Sequence, residues 1–339
     1  MNEPRNPKEI RAAEDARASA TSKMEAHRGM ATWGERLVPI AEFRRAVATC
    51  GSDLGDKERQ DVSRRFLERR PDTTAVEGPF ERVIVFGGIY NNHLALEALL
   101  DEAVRRQVEA IYCLGDLGGF GPNPEKVRPL LEQGRVLSLQ GNYEESLATG
   151  REDCNCGYTD PRDNHYADIS YSYTANNCSH DFKRWMGTLP KRRRLRLGDR
   201  ELLLVHGSPR RINEFLFAST SPAPFLEVLL DQEGCDGLLC THTGLHWHRT
   251  LPSGRDVVNV GVIGRPANDG NPNVWFAFLE ADGAGLDVSL LPLEYDHLGL
   301  AAEMRREDLP AAFIETIVTG WWTTCLEILP ARERRDSKF

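Results

Sequence analysis

The chain has 339 residues, 40% of them apolar and 27% charged, which suits one large α/β domain or two modest ones with a buried core. Its formal net charge of -9 argues against bulk electrostatic binding to nucleic acid or an anionic membrane. No apolar run is long enough to span a bilayer and the N-terminus lacks the apolar core of a signal peptide, so a soluble, cytoplasmic protein is expected.

Residues 1–35 are rich in Glu, Arg, Ala and Ser and read as a mobile lead-in. Residues 36–80 read as a helical extension and linker: Leu37, Ile40, Phe43 and Val47, then Val62 and Phe66, fall at helical spacing, and Pro71 to Pro79 form the linker. From Arg82 the pattern becomes strand, turn, helix. Val83 to Phe86 is a buried strand, Gly87 to Asn92 a turn, and His93 to Val108 a helix. A second unit follows, with a strand to Leu114, a glycine-rich turn from Gly115 to Pro122 and a helix to about Gly134. A third strand runs from Arg135 to Gln140. This alternation predicts a sheet with right-handed crossovers and a ligand edge at the strand C-termini.

Residues 150–178 read as polar and turn-rich. A helix is expected from Asp181 to Thr188, two strands from Arg194 to Val205, and a helix from Pro222 to Leu230. After His242 the pattern turns antiparallel (Asp256–Val260, Val274–Glu280, Leu286–Leu291), and two helices, Leu298–Arg306 and Leu309–Thr319, close the chain. The basic run Lys191 to Arg196 reads as a solvated strand-end face. The eight cysteines, several inside strand patterns, read as reduced thiols rather than a disulfide framework.

Four of these apolar runs end in a polar residue beside Gly or Thr. They are Cys113-Leu114-Gly115-Asp116, Leu139-Gln140-Gly141-Asn142, Leu204-Val205-His206-Gly207 and Leu239-Cys240-Thr241-His242. Strands of one sheet deliver their last residues to one edge. One carboxylate, one amide oxygen and two imidazoles converging there suit a borderline divalent cation better than a nucleophile-and-base triad.

Taken together, Gly115-Asp116 with Gly119-x-Gly121-Pro122, Gly141-Asn142-Tyr143-Glu144, Val205-His206-Gly207-Ser208-Pro209, Thr241-His242-Thr243 and Val258-Asn259-Val260-Gly261 resemble the calcineurin-like metallophosphoesterases, in particular their bacterial phosphodiesterase branch. The resemblance spans about residues 82–295. It implies a four-layer α/β/β/α sandwich over residues 81–295, with the helices of residues 296–339 packed on it. It further implies two metals roughly 3.5–4 Å apart that share a bridging hydroxide. Asp116 would be the bridging carboxylate, and Asn142, His206 and His242 would hold the second metal.

The first metal site departs from that pattern. Where the family has Asp-x-His-Gly-Asn, this chain has Gly88-Ile89-Tyr90-Asn91-Asn92; where it has Gly-His-x-His, this chain has Thr241-His242-Thr243-Gly244. Three readings follow. The first is a phosphoesterase, with phosphodiesterase activity on a small or nucleotide-like ester, that uses one well-formed Mn, Fe or Zn site at Asp116, Asn142, His206 and His242. Asn92, Tyr143, Arg210 and Arg265 would then contact phosphate, with Arg211 nearby, and Tyr90 or His246 would be substitute ligands. The second is a catalytically silent protein that binds a phosphorylated ligand or a protein partner. The third is a different, redox metal chemistry.

Other features carry blander expectations. His93 starts a helix. His248 flanks a tryptophan. Cys154-x-Cys156 with Cys178 and His180 does not have zinc-ribbon spacing and reads as a structural loop. Tyr143 stands where many family members have a histidine at the leaving group, and a phenol is a poor acid there. Of Trp321 and Trp322, adjacent in sequence, one is expected in the core and the other at a domain edge or a partner such as a second copy.

Overall fold

Alternation along the strands assigns each side chain to a layer. The computed structural model describes residues 75–283 and 285–335, together with two short strands, β1 (Met30–Trp33) and β2 (Arg36–Pro39), paired antiparallel in a unit of their own. In β4 (Arg82–Phe86), Val83 and Val85 face one cluster while Ile84 and Phe86 face another. The same division recurs in β8 (Arg200–Val205), where Leu202 and Leu204 oppose Leu203 and Val205, and in β9 (Gly237–Cys240), where Leu239 opposes Leu238 and Cys240. Strands covered on both faces read as unbroken apolar runs, as these do.

Two sheets result. One has five strands in the order β13-β12-β4-β5-β6, with β5 at Ala110–Cys113, β6 at Leu137–Ser138, β12 at Val274–Asp282 and β13 at Gly285–Leu293. The other has six in the order β10-β11-β9-β8-β7-β3, with β3 at Val76–Phe80, β7 at Arg192–Leu197, β10 at His246–Thr250 and β11 at Asp256–Val260. Their inner faces share one core, which includes Val83, Tyr112, Leu202, Val258 and Leu279. The outer face of the five-stranded sheet is covered by α1 (His93–Arg106), α2 (Val127–Gln133), α3 (Asn142–Thr149), α4 (Pro161–Asn177) and α5 (His180–Met186). The six-stranded sheet is covered by α6 (Ala223–Glu233). This is the four-layer α/β/β/α sandwich expected from the sequence.

Four expectations need correction. The helical extension fails where it is described: Arg36–Pro39 is a strand, and Val76–Phe80, placed in the linker and its end, pairs with β7 as the edge of the larger sheet. The remainder of residues 1–74 lies outside the described residues. The supposedly turn-rich segment 150–178 contains the 17-residue helix α4. Its inward face is Asp163, Ala167, Ser170, Tyr171 and Thr174, so small and polar residues hide the helical period, although Asp160 at the N-cap and Pro161 at the first position mark its start. Cys154 and Cys156 are joined in a disulfide across a turn in which Asn155 has φ 50°, whereas Cys113, Cys178, Cys235, Cys240 and Cys325 are free and buried. Finally, the basic strand β7 is half-buried and ion-paired rather than solvated. Arg192 pairs with Glu233 at 3.0 Å, Arg194 with Glu201 at 2.8 Å, and Arg193 with Glu77.

The C-terminal helices α7 (His297–Arg306) and α8 (Ala311–Thr319) pack around Phe120, and a short helix α9 spans Ala331–Arg335. Trp322 is fully buried, its indole N–H donating to Pro266 O at 2.6 Å and its amide to Asn268 Oδ1 at 2.7 Å, so of the two tryptophans it is the core member. Among the described residues no helix is long and apolar enough to cross a membrane.

The following segment is tied back to α4. Asp163 Oδ2 accepts the Ile328 amide at 2.9 Å, beside the carboxylate of Glu327. Burial first, then hydrogen bonding to Glu327 and its charge, push the Asp163 carboxyl up from 3.8 to about 6. A raised carboxyl binds a proton more tightly in the folded state. Its stabilisation is therefore complete below 3.8 and lost as the pH rises through about 6. Asp163→Asn is expected to raise stability by about 1 kcal/mol at pH 8 and to leave it unchanged or lower at pH 3.5, as read by denaturant unfolding at the two pH values.

Candidate metal centre

Strands β4, β5 and β6 run parallel, as do β8 and β9, so their C-terminal ends lie along common sheet edges. Asp116 follows β5, Asn142 opens α3 after β6, His206 follows β8 and His242 follows β9. Asp116 (φ 58°) and His242 (φ 71°) both take left-handed backbone conformations, which cost about 1–2 kcal/mol for a residue with a Cβ. The buried carboxylate of Glu144 fixes the Asp116 turn by accepting the amides of Asp116, Leu117 and Gly141 at 2.8, 2.7 and 2.7 Å. The altered turn after β4 is locked to the same residue, because Asp116 O accepts the amides of Ile89 and Tyr90.

The ligand atoms of Asp116, His206 and His242 all lie within 4.8 Å of one another, and all three residues are buried. Their tautomers follow from their other contacts. His206 Nδ1 is 2.7 Å from Leu114 O and His242 Nε2 is 3.2 Å from Cys156 O; a carbonyl only accepts, so both of those nitrogens carry hydrogen. With both imidazoles neutral, the lone pairs of His206 Nε2 and His242 Nδ1 face each other across 3.0 Å. Asn142 Oδ1 stands 3.0 Å and Asp116 Oδ2 3.3 Å from the same His206 nitrogen. The Asn142 amide is turned this way because its Nδ2 donates to Cys154 O at 2.9 Å. Four electron-pair donors pointing at one another repel unless a proton or a metal cation lies among them, and two nitrogens with two oxygens form a donor set that Mn, Fe or Zn accepts.

Electrostatics agree with this arrangement. Burial, followed by the neighbouring His206, pushes His242 down to about 3, leaving it neutral and free to ligate. Burial opposes charge on His206, but Asp116 outweighs it and holds the imidazole above its ordinary value, so a proton and a metal ion compete for one nitrogen. Burial likewise opposes charge on Asp116, and His206 outweighs it and lowers the carboxyl. The phenols of Tyr90 and Tyr143 are pushed up, chiefly by burial, and stay protonated.

A cavity of about 50 Å³ opens beside the centre and is lined by Asp116, His242, Tyr90, Tyr143, Tyr158 and Arg265, with Cys325 on the C-terminal side. Tyr143, Tyr90 and Arg265 line this cavity. Tyr90 does so as a neutral phenol rather than a phenolate ligand. Asn92 does not: its Oδ1 caps α1 by accepting the Ala95 amide and its Nδ2 donates to Ile263 O, so both ends of the amide are spent. Arg210 is exposed, paired with Glu214 and stacked over Phe225 at 4.9 Å. His246 is stacked on Trp275 with ring centroids 3.8 Å apart, outside the cluster of candidate ligands, and His248 pairs with Asp256 at 2.8 Å. Sequence reasoning missed the carbonyls of Cys154 and Cys156, which orient two candidate ligands, and the cavity walls Tyr158, Ser170 and Cys325. No local signal marks them, because they come from the loop before α4, from α4 itself and from a segment some 200 residues after Asp116.

Comparison with known proteins identifies the family and the fold. The model of the calcineurin-like phosphoesterase superfamily domain matches residues 82–283. An uncharacterized protein of Methanocaldococcus jannaschii is 22% identical over 255 residues, covering 70% of this chain and 98% of its own. Among solved structures, a metallophosphoesterase from Sphaerobacter thermophilus has 24% identity and a TM-score of 0.55, and a hypothetical protein from Pyrococcus horikoshii OT3 has 23% identity and a TM-score of 0.59. Each covers 71% of this chain and is itself 99% covered. At these identities the two structures speak to the fold.

Proposed function

The chain belongs to the calcineurin-like phosphoesterase superfamily, a family of metal-dependent phosphoric ester hydrolases, and on that premise we propose that it hydrolyses a small phosphodiester at a mononuclear centre held by Asp116, Asn142, His206 and His242. The observation that carries this reading is the convergence of His206 Nε2 and His242 Nδ1, 3.0 Å apart, with Asn142 Oδ1 and the Asp116 carboxylate turned on the same point. A divalent cation bound there supplies Lewis acidity toward a phosphoryl oxygen and a more acidic water.

The protein's own part is positioning. Leu114 O and Cys156 O set the two histidine tautomers, and Cys154 O sets the rotamer of Asn142. The cavity of about 50 Å³ admits a small group beside Asp116, His242 and Arg265, which suits a phosphoryl group. Tyr143 Oη, held 2.9 Å from Ser170 Oγ, is a hydrogen-bond donor for the leaving oxygen but too weak an acid to protonate it near neutral pH. Water adds to phosphorus as the bond to the ester oxygen breaks, so aryl esters, which leave as stable phenolates, are the favoured substrates.

Bis(4-nitrophenyl) phosphate and 4-nitrophenyl phosphate, offered to protein loaded with Mn, Fe or Zn, test this. The diester should be hydrolysed, the activity should vanish with chelator, and it should return on adding one of the metals. Bound metal with no hydrolysis of either ester would instead favour a silent protein that binds a phosphorylated ligand.

A further inference from the structure

Arg265 has no counter-ion. It is only 7% exposed, with Tyr90, Tyr158 and Cys325 as neighbours and a side-chain hydrogen bond to Cys325, but among the described residues no carboxylate forms an ion pair with it. Its Nε has no hydrogen-bond partner. The guanidinium lies over the Trp322 ring at 3.6 Å, with the Tyr90 and Phe120 rings at 5.9 Å. Trp322 is fully buried and fastened through Pro266 O, so the plane beneath the guanidinium is fixed. A buried charge is strongly disfavoured unless it is paired, so the sequence retains an arginine here at a cost to stability.

The same guanidinium lines the cavity shared by Asp116 and His242. Its Nη2 comes within 3.1 Å of where a side chain at Gly244, two residues after His242, would begin. A permanent cation with a planar fork of donors, facing a cavity of phosphoryl size, matches a tetrahedral oxyanion. Resting on the reading of this centre as a phosphoesterase site, we propose that Arg265 is a substrate-binding residue that grips the phosphoryl oxygens and supplies a fixed positive charge opposite the metal ligands. Three segments far apart in sequence build this grip, and the C-terminal one, with Trp322 and Cys325, lies beyond the region matched by the family model.

The probe is inorganic phosphate, titrated calorimetrically into wild type, Arg265→Met and Arg265→Lys, with metal content and thermal melting followed in parallel. Phosphate should bind the wild type and raise its melting temperature. Arg265→Met should bind at least tenfold more weakly, Arg265→Lys should fall between, and metal content should be equal in all three. Without phosphate, Arg265→Met should melt at or above the wild type, because an unpaired buried charge has gone. Equal phosphate affinity in the three proteins, or no phosphate binding by the wild type, overturns the proposal. Phosphate binding that depends on Arg265 in a wild type devoid of metal would keep this assignment and remove the metal-centre reading.

Discussion

His206→Ala is expected to lower the proposed phosphodiester hydrolysis by at least about 10³-fold, because it would take the central ligand from the proposed metal centre. Metal-ion catalysis is worth several kcal/mol, and each 1.4 kcal/mol is a factor of ten. His206 is the hub: its Nε2 is within 3.3 Å of Asp116, Asn142 and His242, whereas Asn142 and His242 owe their orientation to the loop that carries Cys154 and Cys156. Losing it leaves the Asp116 carboxylate buried without its neighbouring imidazole. Asp116→Asn should match it in activity while sparing the fold, since the side chain keeps its shape. Arg210→Ala is the control. Its guanidinium is exposed and pairs with Glu214, so hydrolysis should stay within about twofold of wild type. Steady-state rates with bis(4-nitrophenyl) phosphate distinguish these outcomes, and an Arg210→Ala loss as large as that of His206→Ala would contradict the placement of the site.

Rebuilding the family's first metal site fails in this chain. Gly88→Asp, Tyr90→His and Gly244→His introduced together should lower stability by about 2–5 kcal/mol and bring in no second metal. At Gly244 the backbone has φ +75°, costing a residue with a Cβ about 1–2 kcal/mol. The added Cβ would stand 2.9 Å from Trp322 Cη2 and 3.1 Å from Arg265 Nη2, and overpacking of this kind costs about 1–3 kcal/mol. The obstruction at Gly88 comes from the Tyr90 ring, 2.6 Å away, and Tyr90→His relieves it. Gly244 is therefore the decisive position. Adding Arg265→Ala should recover part of the lost stability. Denaturant unfolding and metal content read both claims, and a triple variant that took up two metals at wild-type stability would show that Arg265 and Trp322 do not occupy that space.

The sandwich and the convergence of Asp116, His206 and His242 were legible because each depends on a short local pattern. Val83 to Phe86 and Leu202 to Val205 are apolar without interruption, which marks strands covered on both faces, and the polar residue ending each parallel strand is delivered to a common edge. Helix α4 was not legible, since Asp163, Ser170 and Thr174 on its inward face imitate a solvated loop. Asn92 and Arg210 misled for a related reason. Both residue types suit phosphate, but one is a helix cap and the other a surface ion pair, and sequence does not say which way a side chain turns. Arg265 was placed near the cleft on resemblance alone. The tryptophan plane that holds it depends on Trp322 returning from 57 positions later in the chain.

The measurement that bears most directly on the centre is metal content per chain by elemental mass spectrometry, on protein purified without chelator and on its His206→Ala variant. One equivalent of Mn, Fe or Zn in the wild type and none in the variant is the expected result. Two equivalents, or one that survives the loss of His206, would contradict a mononuclear centre built on Asp116, Asn142, His206 and His242.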